Sequence, residues 1–209
     1  MIFIWLCIQT FAGILMSFAQ AFRVGSVHWE PGFLSFIVAS SGIALFMKVS
    51  SLRSRAAVRF LLGTWGGFVY YSICLYWIII ALREFGGIPL FISILISALL
   101  SLYCAVYFGV WAIICGFPIV REKPIFLRIL IWASLWACLE ALREVLFTGF
   151  NWAEIGFHFS FWPLIAKTAA VWGVHGLTFF WIVFISLLVH LDEWFERKRY
   201  RVYVSGFVV

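Results

Sequence analysis

The feature that most constrains this chain is a set of long apolar runs without charge. The stretch from Ile88 to Val120 contains no Asp, Glu, Lys or Arg. Such a run cannot sit on the surface of a water-soluble fold. In hydrocarbon every backbone N–H and C=O must be satisfied inside the segment, so the run predicts a helix. A transmembrane barrel would need short segments of alternating polarity, and these runs do not alternate. Composition agrees: 65% of the residues are hydrophobic and only 11% are charged. Soluble domains carry roughly 25% charged residues, so too few polar side chains are present to cover a surface facing water.

Six apolar runs, the fifth charged towards its end, set the expected organisation: an all-α polytopic membrane bundle of about six helices. The spans are read as 2–21, 31–47, 60–82, 88–120, 126–147 and 168–189, within a membrane domain at 1–190 followed by a basic tail at 191–209. The run 88–120 is long enough to tilt, or to bend near Gly116-Phe117-Pro118. The first run ends in Ala19-Gln20-Ala21, which looks like a signal-peptidase site. No Lys or Arg precedes it and the apolar stretch is long, so it reads as a retained span.

The net charge of +6 lies in clusters between spans, not in a nucleic-acid-binding stripe. Lys48, Arg53, Arg55 and Arg59 follow span 2; Arg121, Lys123 and Arg128 follow span 4; Arg197, Lys198, Arg199 and Arg201 follow span 6. These clusters fall on one side of a six-span topology. The positive-inside rule then puts both termini in the cytoplasm. No nucleic-acid partner is expected.

Cys7, Cys74, Cys104, Cys115 and Cys138 all lie within apolar runs, without CxxC or zinc-type spacing to His. They read as small hydrophobes. No metal and no cofactor is expected from spacing alone, and no HExxH, phosphate loop or nucleophile with an adjacent base is present.

Several polar residues stand out against this background. Glu140, Arg143 and Glu144 share a face of span 5. Ionisable groups at such depth pair with one another or face a protein interior. They read either as a lipid-headgroup site or as a self-satisfied ion-pair group, with Arg143 between two carboxylates. Arg83 and Glu84 precede Phe85-Gly86-Gly87-Ile88-Pro89, a tight connection whose glycines permit positive φ. That pair could contact a lipid phosphate. The outward segment 148–163 is rich in aromatic residues and is expected to fold back along the membrane surface, with Trp152 and Trp162 at headgroup level. Asn151 and Glu154 are its main polar handles and His158 is a weaker one. His175, within span 6, reads as the donor of a helix–helix hydrogen bond. Gly63 and Gly67, four apart on span 3, permit close helix contact.

The ordered motifs resemble a known family. They are Trp65-Gly66-Gly67-Phe68, Tyr76-Trp77, Phe85-Gly86-Gly87-Ile88-Pro89, Leu102-Tyr103, Trp136…Glu140-Ala141-Leu142-Arg143, Leu146-Phe147-Thr148-Gly149-Phe150-Asn151-Trp152, Gly156-Phe157 and Gly173-Val174-His175-Gly176-Leu177. Together they resemble the N-terminal membrane half of bacterial apolipoprotein N-acyltransferase, with Asn151 where proline is usual. The resemblance implies transfer of an acyl chain from a phospholipid to a diacylated lipoprotein in the bacterial inner membrane. It also implies that the catalytic Glu-Lys-Cys triad belongs to a nitrilase-like domain. None of the five cysteines maps onto that nucleophile, and Lys167 does not map onto that lysine. The chain is therefore expected to bind lipid and dock substrate without catalytic residues of its own, being either truncated or completed by a separate catalytic chain. Arg83, Glu84, Phe85, Gly86, Gly87, Glu140, Arg143, Glu144, Asn151, Trp152 and Glu154 are the candidate lipid- or substrate-binding residues. A stand-alone scaffold anchoring another enzyme, such as a polyprenol-phosphate glycosyltransferase, is the alternative. A transporter is the weakest reading, because no midplane polar pathway or internal repeat is visible.

Overall fold

A computed structural model describes residues 2–20, 22–24, 27–29, 32–52, 54–191 and 193. Helices occupy all six apolar runs. In order they are α1 (Ile2–Ser17), α2 (Phe33–Ser50), α3 (Ala56–Cys74), α4 (Trp77–Glu84), α5 (Leu90–Cys115), α6 (Pro118–Arg121), α7 (Ile125–Val145), α8 (Pro163–Ala166) and α9 (Ala169–Val189). An antiparallel pair of three-residue strands, β1 (Phe22–Val24) and β2 (Val27–Trp29), joins α1 to α2. The architecture is an all-α membrane bundle with this one small hairpin. The basic tail expected beyond 193, with the cluster at 197–201, lies outside the described residues, as does Arg53.

Among the described residues, four helices are long and apolar enough to cross a membrane: α2, α5, α7 and α9. A fifth span arises if α3 and α4 are taken together across their 49° bend. Helix α1 is apolar but only 16 residues long.

Prolines and glycines set the breaks. Pro89 and Pro124 precede α5 and α7, while Pro118 and Pro163 open α6 and α8. Each sits where a missing N–H costs nothing. The run 88–120 does break at its Gly-Phe-Pro, with α5 ending at Cys115. After α4, the amide of Ile88 donates to the Leu82 carbonyl (3.1 Å) and that of Gly87 to Arg83 (3.2 Å). Gly87 has φ +62°. This is a left-handed glycine cap, which explains the Gly-Gly-x-Pro order: glycine takes the left-handed position and proline prevents the helix from continuing.

The bundle is tightest between α3 and α5. A Cβ on Gly63 would lie 2.7 Å from the Phe108 carbonyl, and one on Gly67 would lie 2.8 Å from the Phe108 ring. Here the glycine pair is used for close approach. Around this contact sits an aromatic core of Phe46, Tyr70, Tyr71, Phe108, Trp111, Trp132 and Trp136. Phe108 and Trp136 pack edge to face at 4.9 Å, and Phe46 and Phe108 at 5.1 Å. Outward, large apolar side chains such as Phe91, Leu164 and Val171 are exposed, as a lipid-facing surface requires.

Side-chain bonds fix the relative directions of the helices. Gln9 on α1 donates to Ser50 at the end of α2 (2.9 Å), so the start of α1 and the end of α2 share one end of the bundle. At the opposite end, Gln20 donates to the Glu154 carbonyl (2.9 Å). That second end carries the candidate site.

Candidate functional site

Three elements build the site: the last turns of α7, the segment 149–161, and α9. The chain leaves α7 through an unusual backbone path. Phe147, Gly149 and Ala153 all have positive φ, at 51°, 83° and 59°. A Cβ at Gly149 would sit 2.1 Å from the Glu144 carbonyl, so this turn requires glycine. Left-handed Phe and Ala each store strain of order 1–3 kcal/mol, held only when the surroundings over-determine them.

The surroundings do so here. The Trp152 carbonyl accepts from Arg143 Nη1 (2.9 Å). The Ala153 carbonyl accepts from the Tyr70 hydroxyl (2.8 Å) and the Glu154 carbonyl from Gln20. The amide of Ile155 donates to Glu140 Oε1 (3.2 Å) and that of Gly156 to Thr178 Oγ1 (3.1 Å). From 152 to 156 the backbone is tied to Gln20, just past the end of α1, and to side chains of α3, α7 and α9. Beyond it, a 3-10 helix spans Ile155–Phe161.

Glu140, Arg143, Glu154 and Thr178 are all buried. Glu140 accepts from Trp136 Nε1 (3.2 Å), the Ile155 amide and Thr178 Oγ1 (2.7 Å). Arg143 lies with its guanidinium 5.1 Å from the Tyr71 ring centre. Its Nη2 is 3.7 Å from Glu154 Oε1. At the rim, Glu144 pairs with His175 Nε2 (2.9 Å) and accepts from Asn151 Nδ2 (3.4 Å).

This corrects one sequence expectation. Arg143 is not held between Glu140 and Glu144. Its ion-pair partner is Glu154, brought in by the loop, while Glu140 is satisfied by Trp136, Thr178 and a backbone amide. Helical spacing places residues on one face, but the returning segment decides which charges meet. The segment itself needs a second correction. It does not simply lie along a surface: Ala153, Glu154, Ile155, Gly156, His158 and Phe159 are buried in the bundle. Only its edges remain outside, with Trp152 55% exposed and packed 4.9 Å from the Trp77 ring. His158, read as a weak surface handle, is fully buried, with Nδ1 3.2 Å from the Ala19 carbonyl.

Burial pushes the Glu154 carboxyl up to about 8, with the neighbouring Glu140 and Glu144 adding to the rise and Arg143 opposing it. Burial lowers the His158 imidazole, partly offset by its bond to Ala19.

The other candidates stand apart from this cluster. Arg83, Glu84, Phe85, Gly86 and Gly87 are exposed around the α4 cap. His175 makes the interhelical bond expected of it, to Glu144. Gln20, Tyr70, Tyr71, Trp136 and Thr178 were not among the sequence candidates. Thr178 was the most accessible of these, three residues after His175 on the same helix face. Beside the cluster, a cleft of about 390 Å³ is lined by Gln20, Tyr76, Trp77, Trp152, Phe157 and Phe161 among others.

The motifs that form this site are matched elsewhere. The model of the apolipoprotein N-acyltransferase N-terminal domain matches residues 12–188. The chain belongs to this family. An apolipoprotein N-acyltransferase of Haemophilus ducreyi is 30% identical over 84% of this chain and 33% of its own length. That of Haemophilus influenzae is 28% identical over 86% of this chain and 32% of its own. That of Geobacter metallireducens is 35% identical over 57% of this chain and 22% of its own. The chain thus spans about a third or less of the curated relatives it matches. The family's N-terminal domain is, in this chain, the helix bundle and the buried polar site just described.

Proposed function

We propose that this chain serves lipoprotein N-acylation as its membrane part, binding phospholipid and docking a diacylated lipoprotein at the Glu154 end of the bundle. Catalytic groups come from elsewhere: Cys7, Cys74, Cys104, Cys115 and Cys138 have no neighbouring base and cationic surroundings of the kind that activate a thiol, apart from Cys104 against Arg143, which is buried. The observation that carries the reading is the family match across 12–188 together with the aromatic cleft beside Trp77 and Trp152. Aromatic rings at one end of a membrane bundle suit the headgroup level. In this reading the bundle sits in the bacterial inner membrane. The Arg-rich end, with the start of α1 and the end of α9, faces the cytoplasm, and the Glu154 end faces outward.

The decisive assay supplies purified chain with phospholipid and a diacylated lipopeptide. No triacylated product is expected from this chain alone, and product would end the claim that it lacks catalytic groups. Trp152→Ala is expected to weaken phospholipid binding severalfold at a stability cost of about 0.5–1.5 kcal/mol, the loss of its ring contact with Trp77. An unchanged binding curve would reduce the segment to a passive belt. A scaffold for another membrane enzyme remains the competing role, and a copurifying glycosyltransferase with normal lipoprotein acylation on gene deletion would favour it.

A further inference from the structure

Glu154 and His175 meet in a way that hydrogen bonding within the chain leaves incomplete. Glu154 is fully buried, and neither of its carboxylate oxygens accepts a hydrogen bond. Oε1 faces Arg143 Nη2 at 3.7 Å. Oε2 faces His175 Nδ1, also at 3.7 Å. His175 uses Nε2 to reach Glu144 Oε2 at 2.9 Å, and a carboxylate there takes an N–H. The neutral ring then turns an Nδ1 lone pair toward a carboxylate lone pair, and Nδ1 is buried without a partner. Two acceptors facing each other in a dry site need a positive species between them.

We propose that Glu140, Glu154 and His175 form a binding site for one divalent transition cation of the Zn²⁺ or Mn²⁺ class. One donor atom from each of the three lies within 4.8 Å of the other two. Zinc takes nitrogen and oxygen ligands at about 2.0–2.2 Å, so tetrahedral donors around it stand about 3.4 Å apart. The 3.7 Å between Nδ1 and Oε2 is close to that and too long for a direct hydrogen bond. Closing the two edges to Glu140 takes a rotation of its carboxylate, within reach of side-chain torsion, that exchanges one of its present hydrogen bonds for the metal.

Charge favours the same conclusion. With the ligands deprotonated, as metal binding requires, Glu140, Glu144 and Glu154 face one guanidinium, Arg143, which leaves two negative charges in excess around a neutral His175. A divalent cation cancels them, as buried carboxylates require. The hydrogen bond from His175 Nε2 to Glu144 is the carboxylate–histidine–metal arrangement that orients an imidazole ligand. One histidine with two carboxylates suits Zn²⁺ or Mn²⁺ better than a soft cation such as Cu⁺. His175 and Glu144 are partly exposed at the rim, with side chains 27% and 40% accessible, and provide the way in. The ion would staple α7, the 149–161 segment and α9 together. The proposal does not depend on the acylation reading.

The test uses the whole chain in detergent micelles, stripped with chelator and titrated with Zn²⁺, Mn²⁺ and Co²⁺ by calorimetry and thermal shift. Saturable binding of one ion per chain is expected, raising the melting temperature. The Co²⁺ complex should show ligand-field bands without a thiolate charge-transfer band. Glu154→Gln and His175→Gln are each expected to weaken binding at least tenfold, and Glu144→Gln, which removes only the orienting partner, by about tenfold. Failure to saturate, a thiolate band pointing to the cysteines, or variants that bind like wild type would each overturn the site. Should Glu154→Gln fail to fold, the Co²⁺ spectrum of the wild type and the His175→Gln titration still decide. A chain that shows no metal effect but melts differently across neutral pH would mean that a proton fills the gap.

Discussion

The two ends of the bundle hold their charges in different ways. At one end Glu140, Arg143 and Glu154 are enclosed, and the backbone of the 149–161 segment is bonded into the same network. At the other, Arg55, Arg59, Arg121 and Arg128, with Glu122 and Glu193, line an open cleft of about 960 Å³. Arg128 pairs with Glu193, and Arg59 donates to the Ser54 carbonyl and lies 6.0 Å from the Phe117 ring centre. Arg55 and Glu122 are exposed there and are solvated whichever partner they choose, while Arg59 and Arg128 are buried in the wall of the cleft. Enclosed charges depend on one another. The difference teaches that charge count says little about a membrane protein's polar sites until burial is known.

The sharpest way to break this contrast is Arg143→Ala. It leaves Glu154 buried beside Glu140 and frees the Trp152 carbonyl, so a loss of about 3–5 kcal/mol is expected from stranding a buried charge. Thermal unfolding in detergent reads it. Wild-type stability would show that the enclosed network is not structural. Thr178→Val comes next. It keeps the shape but removes the donor to Glu140 and the acceptor for the Gly156 amide. An unsatisfied buried group costs about 1–3 kcal/mol.

A pH series sharpens the comparison at smaller scale. His158 is buried against Phe36, Trp162 and Trp181, and its ring titrates below the ordinary value of about 6.5. The unfolded chain therefore binds the proton first. The stability from the neutral ring is intact above pH 6.5 and falls as pH drops through the depressed value. The difference between wild type and His158→Phe should be flat above that pH and shrink below it. A parallel pair of curves would mean that His158 is free to charge in place. The smallest effect belongs to the open end. Glu122→Gln, at an exposed position of that cleft, should change stability by about 0.5 kcal/mol or less. A cost as large as that of Arg143→Ala would erase the distinction between the ends.

Much of the architecture was legible before any coordinates. Apolar runs without charge located the helices, because hydrocarbon leaves the backbone one way to satisfy itself. Phe85-Gly86-Gly87-Ile88-Pro89 announced its turn, because only glycine takes the left-handed cap cheaply and proline cannot continue a helix. Gly63 and Gly67 marked the close contact of α3 with α5. The candidate site was half legible. Glu140, Arg143 and Glu144 stood out as charges within an apolar helix, and Asn151, Trp152 and Glu154 as polar or amphipathic points in an aromatic segment.

Only the tertiary structure decided how those groups combine. The apolar runs fixed themselves locally, each amide bonding the carbonyl four residues back, so periodicity and length were enough. The pairing of Arg143 with Glu154, the burial of His158 and the meeting of Glu154 with His175 depend on a segment that turns back through left-handed Phe147, Gly149 and Ala153. That path is held by Gln20, Tyr70 and Thr178, residues far away in sequence whose contacts no local pattern encodes.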